Sequence, residues 1–408
     1  MLIGENIICF AKDWSEDPTS NNHVMRLLAK HNRVLWLNSI STRNPNLSSG
    51  RDIKKILSKL SSFGQGAKQV AANLWVYTPI VLPFPASPLA ARMNTQILKT
   101  TISLLRRKLN MPRFQLWSFL PTAAPYVGKL GEELSVYYCT DEFSQFENVD
   151  ANRMRAMEED ILRKVSVVFT TSQSLLEKKR VHNPECYLAS HGVDHGHFAK
   201  ALGDNLEAHP ELANLPRPIL GFFGLLQNWI DKDLLLYLAE RHPEWSIVLI
   251  GPAATDISRL KGRPNIHHIE RRPYADLPRY CKAFSAGLIP FVVDELTIHV
   301  NPIKLREYLS AGLPVVSTAL PEVMLYKDVC RVARTKEEFV AACEAAIAED
   351  SPAAREERSR RMERETWEKK VAELGDHVLS VKAKLMQGLT EGEDRGRRTN
   401  PPLGSCLP

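Results

Sequence analysis

Short apolar runs rich in β-branched residues alternate with stretches of helical spacing along almost the whole chain, in two series. Strand-like runs cover residues 6–11, 33–38, 74–78, 115–119, 135–139 and 165–171, with helical spacing at 22–31, 88–109 and 151–164. A second series places strands at 219–224, 246–251, 265–269, 286–291 and 314–318, and helices at 231–241, 277–283, 302–311 and 336–348. Strands that alternate with helices of about ten residues imply βαβ crossovers and a parallel sheet. A polar segment, 203–217, carrying Pro210 and Pro216, separates the two series. The pattern predicts an α/β chain of two Rossmann-like domains facing a cleft, with residues 1–202, a linker at 203–217, and residues 218–351. Residues 352–387 read as a long charged helical stretch, and the polar tail 388–408 as a segment without order. Ligands of such sheets sit beyond the carboxyl ends of the strands, so the chemistry is to be sought in the loops that follow them.

Composition closes off other classes. Seven scattered cysteines (Cys9, Cys139, Cys186, Cys281, Cys330, Cys343 and Cys406) are an odd number with no Cys-x-x-Cys pair. They suit neither a disulfide framework nor a zinc knuckle, and point to a reducing cytoplasm. The amino end, MLIGENIICFAKDW, carries Glu5 and no basic region, so it does not read as a signal peptide. The most apolar stretch, 74–91, is cut by Pro79, Pro83, Pro85 and Pro88, so no membrane span is expected. Charge is divided unevenly. Residues 1–130 hold 17 Lys and Arg against five Asp and Glu, leaving 36 basic and 42 acidic groups for the other 278. A basic first half implies an anionic partner, nucleic acid or an anionic membrane, unless it is simply a solvated face.

Four loops carry candidate chemistry. The segment His299-Val-Asn-Pro-Ile-Lys-Leu-Arg-Glu opens a helix at Asn301 and Pro302. Free amides at that end, the helix dipole and Lys304 in the first turn suit a phosphate. Glu307 lies on the same face one turn deeper, where a carboxylate can accept hydrogen bonds from sugar hydroxyls. An ordinary crossover helix with surface Lys and Glu would give the same letters. In Tyr137-Tyr-Cys-Thr-Asp-Glu-Phe-Ser, Asp141 follows a buried strand directly and is placed to act as a general base. Glu142 is the adjacent alternative, and a plain helix cap is the competing reading. The segment Ala189-Ser-His-Gly-Val-Asp-His-Gly-His-Phe offers His191, Asp194, His195 and His197 at a spacing that fits no common zinc site; His191 touching a ligand across the cleft is the better reading. Gly221-Phe-Phe-Gly-Leu-Leu-Gln is a strand followed by a glycine turn, which can bring backbone amides at Gly224 and Leu225 close to a diphosphate. It is neither a dinucleotide fingerprint nor a P-loop. The polar loop 13–23, ending in Asn22 and His23, connects the first strand to the first helix and faces the same cleft.

Taken together, YYCTDEF, SHGVDHGHF, GFFGLLQNWID and NPIKLREYLSAGLPVV resemble the nucleotide-sugar glycosyltransferases of the two-Rossmann GT-B fold, over roughly residues 1–385. The likeness is to bacterial enzymes of exopolysaccharide or teichuronic-type polymers. It implies a carboxyl-terminal helix that crosses back onto the first domain, and a nucleotide-diphospho-sugar donor with no further cofactor and no metal. Retaining family-4-like enzymes pair two glutamates eight residues apart; Glu307 matches the second, but the first falls on His299. Leu225 and Asp231 stand near the places of that family's phosphate-binding Arg and Lys. The chain is equally similar to the inverting glucuronosyltransferases of xanthan-type pathways, in which a strand-end aspartate is the base and a Lys in a helix start grips the donor. Asp141 matches that aspartate, Lys304 and Glu307 match the helix positions, and His191 matches a histidine. The resemblance therefore implies Asp141 and His191 as catalytic, Gly224, Leu225, Asn301, Lys304 and Glu307 around the donor, and Asn22, His23 and Glu142 towards the acceptor. Inversion is favoured over retention. The acceptor would be a glycan or lipid-linked intermediate of the cell envelope. The enzyme would be cytoplasmic and peripheral on the inner membrane face, with the helical stretch 93–111 (Ile97, Thr101, Leu104, Leu105 and Leu109 on one side) resting on anionic lipid, packing on its own sheet being the competing reading. Two rivals stay open: a sugar-nucleotide epimerase on the same fold, and a non-catalytic nucleic-acid binder. No recognition helix, zinc finger or RNA-binding sheet motif supports the second, so no nucleic-acid partner is expected.

Overall fold

The computed structural model describes residues 1–16, 18–39, 66–82, 87–147 and 149–398. Among them two sheets account for the two series. The first contains β1 (Asn6–Phe10), β2 (Arg33–Leu37), β3 (Lys68–Ala71), β4 (Leu74–Tyr77), β5 (Gln115–Ser118), β6 (Leu134–Cys139), β7 (Val167–Thr170) and β8 (Cys186–Leu188). Their order is β3-β4-β2-β1-β5-β6-β7-β8, parallel throughout except for the β3/β4 hairpin. The second contains β9 (Ile219–Phe223), β10 (Ser246–Ile250), β11 (Ile266–Ile269), β12 (Ala286–Ile289), β13 (Val315–Thr318) and β14 (Arg331–Ala333). Its order is β11-β10-β9-β12-β13-β14, all parallel. β5, β6, β7, β9, β10 and β12 are buried along their whole length, as expected of strands covered by helices on both faces.

Strand order decides where a ligand can sit. The direction of winding reverses between β1 and β5 in the first sheet and between β9 and β12 in the second, and a crevice opens at such switch points. The loops after β9 and β12 carry the Gly224 turn and the helix Ile303–Ser310. Both donor-side motifs therefore emerge beside one crevice. The loop after β1 leads into the helix Ser20–Leu28, which carries His23.

The carboxyl-terminal segment joins the halves. Helix Pro352–Met362 packs on the second: Arg358 Nε donates to the Gly312 carbonyl at 2.9 Å, and Ser359 Oγ to that of Ser310 at 2.7 Å. The chain then crosses over. Trp367, Val371, Leu374, Val378 and Val381 enter the core of the first half beside Val24, Met25 and Leu28. Ion pairs fasten the crossing helix at Lys382 to Glu5 and Glu133, and at Lys384 to Glu185.

Three of the expected elements differ in extent or facing from the sequence reading, and short ones such as β3, β8, β14 and the helix Gln173–Lys179 were not expected. The first helix starts at Ser20, because the Asn22 carboxamide oxygen accepts from the Thr19 N–H at 3.0 Å and closes the turn there. The last helix runs Trp367–Arg398, well into the tail expected to lack order. Residues 399–408 lie outside the described ones. In the helix Pro88–Lys108 the core side is Leu98, Ile102 and Leu105, while Ile97 and Leu104 face out. The proline-rich stretch 83–86 is also outside the described residues.

Candidate active site

On the second half, Gly224 takes φ +139°, which side chains other than glycine's rarely tolerate. A Cβ there would lie 2.4 Å from Lys304 Cε and 2.7 Å from its Nζ. The Lys304 side chain thus lies directly on the glycine turn, with its ammonium 5.5 Å from the centre of the Phe222 ring. Gly251, at the end of β10, packs its own backbone against the Gly224 carbonyl and fixes the turn from behind. Leu225, next in the turn, is 40% exposed. The two motifs singled out separately in the sequence form one surface.

Glu307 lies one helical turn beyond Lys304 and is buried. No hydrogen bond or ion pair within 4 Å engages either side chain among the described residues. Burial pushes the Glu307 carboxyl up from 4.5 to about 7, the Lys304 charge opposing it only in part. Burial also lowers the Lys304 ammonium, opposed by Glu307. A half-buried cation beside a buried carboxylate, each without a hydrogen-bonded protein partner among the described residues, is an arrangement that suits a polar ligand. Asn301 is different. Its Nδ2 donates to the Thr171 carbonyl at 2.7 Å and to Glu322 at 3.1 Å, while its oxygen accepts from Arg306 at 2.7 Å. The residue preceding the helix is Pro302, with no side-chain cap. Asn301 is therefore a strut between the halves, its polar atoms already used.

Arg306 was not singled out by the sequence. It is 2% exposed and ties the helix start to Glu365 at 2.7 Å and Tyr326 at 2.7 Å, so the helix carrying Lys304 is braced against the crossover.

The other candidates belong to the first half. Asp141 follows β6 and is half-buried; burial raises its carboxyl, with the Thr140 hydroxyl opposing. It makes no hydrogen bond to Lys304 or Glu307 among the described residues. Glu142, its sequence alternative, is buried in an ion cluster: Lys179 at 3.0 Å, Lys178 at 3.6 Å and the Ser144 hydroxyl at 2.9 Å. Lys179 also pairs with Glu158 at 2.7 Å. Burial would raise Glu142, but Lys179 outweighs it and holds the carboxyl low. A carboxylate so neutralised is a poor base.

His191 is buried, and its Nδ1 has no hydrogen-bond partner. Burial, helped by Arg306 and His23, lowers it to about 3, so the ring is neutral. A neutral ring can act as a hydrogen-bonding group but not as a cation. His23, lowered to about 4 chiefly by burial, stacks on Trp367 with centroids 5.1 Å apart, and His191 lies 6.0 Å from the same indole. Gly192 permits this approach, since a Cβ there would fall 2.6 Å from the Trp367 Cα. Tyr274 completes the group, 5.9 Å from His23, its hydroxyl raised by burial and by the charges of Glu307 and Asp194. Trp367 and Tyr274 were invisible as site residues, because nothing in their local sequence marks them. Asn22, closing its helix, is structural. No group of three or more metal-ligating side chains occurs among the described residues.

No family model matches the chain. Over 107 residues it is 33% identical to TuaH of Bacillus subtilis, described as a teichuronic acid biosynthesis glycosyltransferase; the match covers 25% of this chain and 27% of that protein. The matched region is thus about a quarter of the curated relative. Among solved structures, sucrose-phosphate synthase from Thermosynechococcus elongatus superposes with a TM-score of 0.65 at 13% identity, covering 93% of this chain and 100% of its own.

The fold is GT-B.

HepE of Anabaena in complex with UDP and glucose agrees, with a TM-score of 0.58 at 13% identity over 94% of this chain and 99% of its own. So does a UDP-forming trehalose-phosphate synthase from Burkholderia vietnamiensis, at 0.65 and 10% identity over 94% and 98%. Identities this low speak for the architecture. In a GT-B frame, the Gly224–Lys304–Glu307 surface belongs to the second half, and Asp141, His191 and His23 belong to the first.

Proposed function

We propose that this chain is a glycosyltransferase that moves a sugar from a nucleoside-diphosphate sugar, held by the second domain, to an acceptor hydroxyl held by the first. The observation that carries the reading is the Lys304 ammonium lying on the Gly224 turn, with the unpaired Glu307 one turn deeper. The free N–H groups at the start of the Ile303–Ser310 helix and Lys304 would take the diphosphate, stabilising its charge as it leaves. Glu307 would accept from ribose hydroxyls. Asp141 would remove the acceptor proton, its raised affinity for protons suiting a general base. His191 would orient the sugar through Nε2. Inversion is the better stereochemical reading, because the ring of His299 is committed to Lys178 and Ser174 and supplies no carboxylate to pair with Glu307. That HepE was solved with UDP and glucose makes UDP-sugars the first donors to try. The test is a thermal-shift screen of UDP-, GDP- and dTDP-sugars on wild type, Lys304→Ala and Asp141→Asn. Stabilisation by one nucleotide, lost in Lys304→Ala and kept in Asp141→Asn, is expected. Donor turnover without any acceptor product would favour an epimerase.

The acceptor reading is a lipid-linked or polysaccharide intermediate, met at an anionic membrane surface. The outer side of the helix Pro88–Lys108 exposes Leu89 (68%), Met93 (46%), Ile97 and Leu104 (61%) in a stripe, with Arg92, Lys99, Arg107 and Lys108 also exposed. From residue 53 to residue 131 there is no Asp or Glu. An apolar stripe among cations favours lipid over nucleic acid, which would be met by charge alone. No helix among the described residues is long and apolar enough to cross a membrane. Flotation with phosphatidylglycerol vesicles, lost in Met93→Ser/Leu104→Ser and absent with neutral lipid, is the expected result. Equal binding by the variant contradicts it.

A further inference from the structure

Beside the cleft the two domains are joined by a polar seam at the amino end of the helix Gln173–Lys179. Ser172 Oγ donates to the His299 carbonyl at 2.8 Å, Ser174 Oγ to that of Ile298 at 3.3 Å, and the Gln173 N–H to Glu322 at 2.8 Å. Asn301 adds its bond to the Thr171 carbonyl. Into this seam turns the His299 side chain, with Nδ1 2.9 Å from Ser174 Oγ and Nε2 2.8 Å from Lys178 Nζ. An ammonium only donates, so Nε2 is the acceptor and Nδ1 carries the proton. Ser174 accepts from Nδ1 and passes its own hydrogen to Ile298. The tautomer follows from the partners alone. The same Lys178 ammonium lies 3.6 Å from Glu142 Oε2, and Glu142 is the residue after Asp141. One side chain therefore touches both the loop that presents Asp141 and the loop that leads to Lys304 and Glu307.

We propose that Lys178 and His299 are positioning residues that latch the Asp141 loop to the lead-in of the Ile303–Ser310 helix and so set the width of the cleft. What the latch positions rests on the transferase reading; the latch itself does not. Two domains joined by a polar contact move relative to each other by default, so a contact of defined geometry is needed to hold one spacing. Hydrogen bonds are directional in a way that apolar packing is not. A neutral imidazole suits the position, since it accepts from Lys178 without cancelling the charge that Glu142 also uses. Both ring nitrogens are occupied, which keeps His299 away from substrate. A displacement of about 1 Å between reacting groups costs about 100-fold in rate, so a cleft-width latch would be felt in turnover.

The test is hydrogen–deuterium exchange on the full chain, comparing wild type with Lys178→Met, His299→Leu and His299→Gln. Lys178 is about half exposed, with 47% of its side-chain surface accessible, so its replacement leaves the core intact even where His299→Leu perturbs folding. Peptides spanning 171–179 and 296–302 report on the seam. The expected result is exchange faster by about tenfold in both peptides for Lys178→Met, and recovery in His299→Gln, which keeps an acceptor for Lys178. In UDP-glucose hydrolysis, kcat falls about 10- to 100-fold in Lys178→Met while KM changes less than about twofold, because the donor residues all lie on one domain. Unchanged exchange in Lys178→Met overturns the latch. A KM that rises as much as kcat falls overturns the positioning role, since the residue would then belong to the donor site. A wild type that hydrolyses no UDP-glucose, but whose variant shows the faster exchange, leaves the latch standing and counts against the transferase reading alone.

Discussion

Replacing Glu307 by Gln separates the two consequences of burying an unpaired carboxylate. Folded, this carboxyl holds its proton to about pH 7; unfolded, it loses it near 4.5. Between those values the folded state binds the extra proton, so stability falls as pH rises, and above about pH 7 the full cost remains. A rise from 4.5 to about 7, at about 1.4 kcal/mol for each pH unit, amounts to about 3 kcal/mol. Glutamine has no proton to lose. The stability of Glu307→Gln relative to wild type should therefore be close to zero near pH 4 and grow to about 3 kcal/mol at pH 8. For the domain that carries the residue this is a gain of about 5 to 10 °C in Tm, read by scanning calorimetry at pH 5 and pH 8. Ligand binding should move the other way. Losing a charge-assisted hydrogen bond to a ribose hydroxyl weakens donor binding about 10- to 100-fold at pH 8. A variant with the same Tm difference at both pH values, or less stable than wild type at pH 8, refutes the reasoning.

Three further substitutions probe the frame. Gly224→Ala forces a Cβ onto Lys304 at a backbone conformation that alanine disfavours, so nucleotide-dependent thermal stabilisation should vanish as it does in Lys304→Ala, with an added loss of about 1 to 3 kcal/mol of stability in denaturation. Gly192→Ala meets the backbone of Trp367; the crossing helix should become accessible to limited proteolysis, while the Tm drops by several degrees, about 2 kcal/mol or more. Arg306→Met removes the buried partner of Glu365, Tyr326 and Asn301, and should cost about 3 to 5 kcal/mol in urea unfolding.

Much of the fold was legible because periodicity records burial. Strands such as β5, β6 and β9 are apolar along their whole length and could hardly be anything else. The helix Gln173–Lys179 was missed: seven residues with three charges give too short a repeat to register, yet it carries the seam between the domains. Gly224 and Asp141 closely follow strands, and a parallel sheet brings strand ends to one edge, so local sequence was enough to put them at strand ends. Glu142 and Asn301 carry the same chemistry on paper. What sets them apart is Lys179 in one case and Thr171, Glu322 and Arg306 in the other, partners distant in the chain that only the fold brings near. Trp367 reaches the core of the first half from the carboxyl-terminal crossover, and no local motif could announce a contact made 176 residues from His191.

The most direct measurement is transfer itself. Purified chain is incubated with a radiolabelled UDP-sugar and bacterial membrane lipids, and label is followed into the organic-extractable fraction, with Asp141→Asn and Lys304→Ala alongside. The account predicts label in lipid for wild type, with release of UDP in equal amount. Asp141→Asn should still bind UDP but fall in transfer by about 100-fold or more, and Lys304→Ala should lose binding as well. Nucleotide binding with full transfer by Asp141→Asn would contradict the assignment of the base, and no binding of any nucleoside diphosphate by the wild type would contradict the account as a whole.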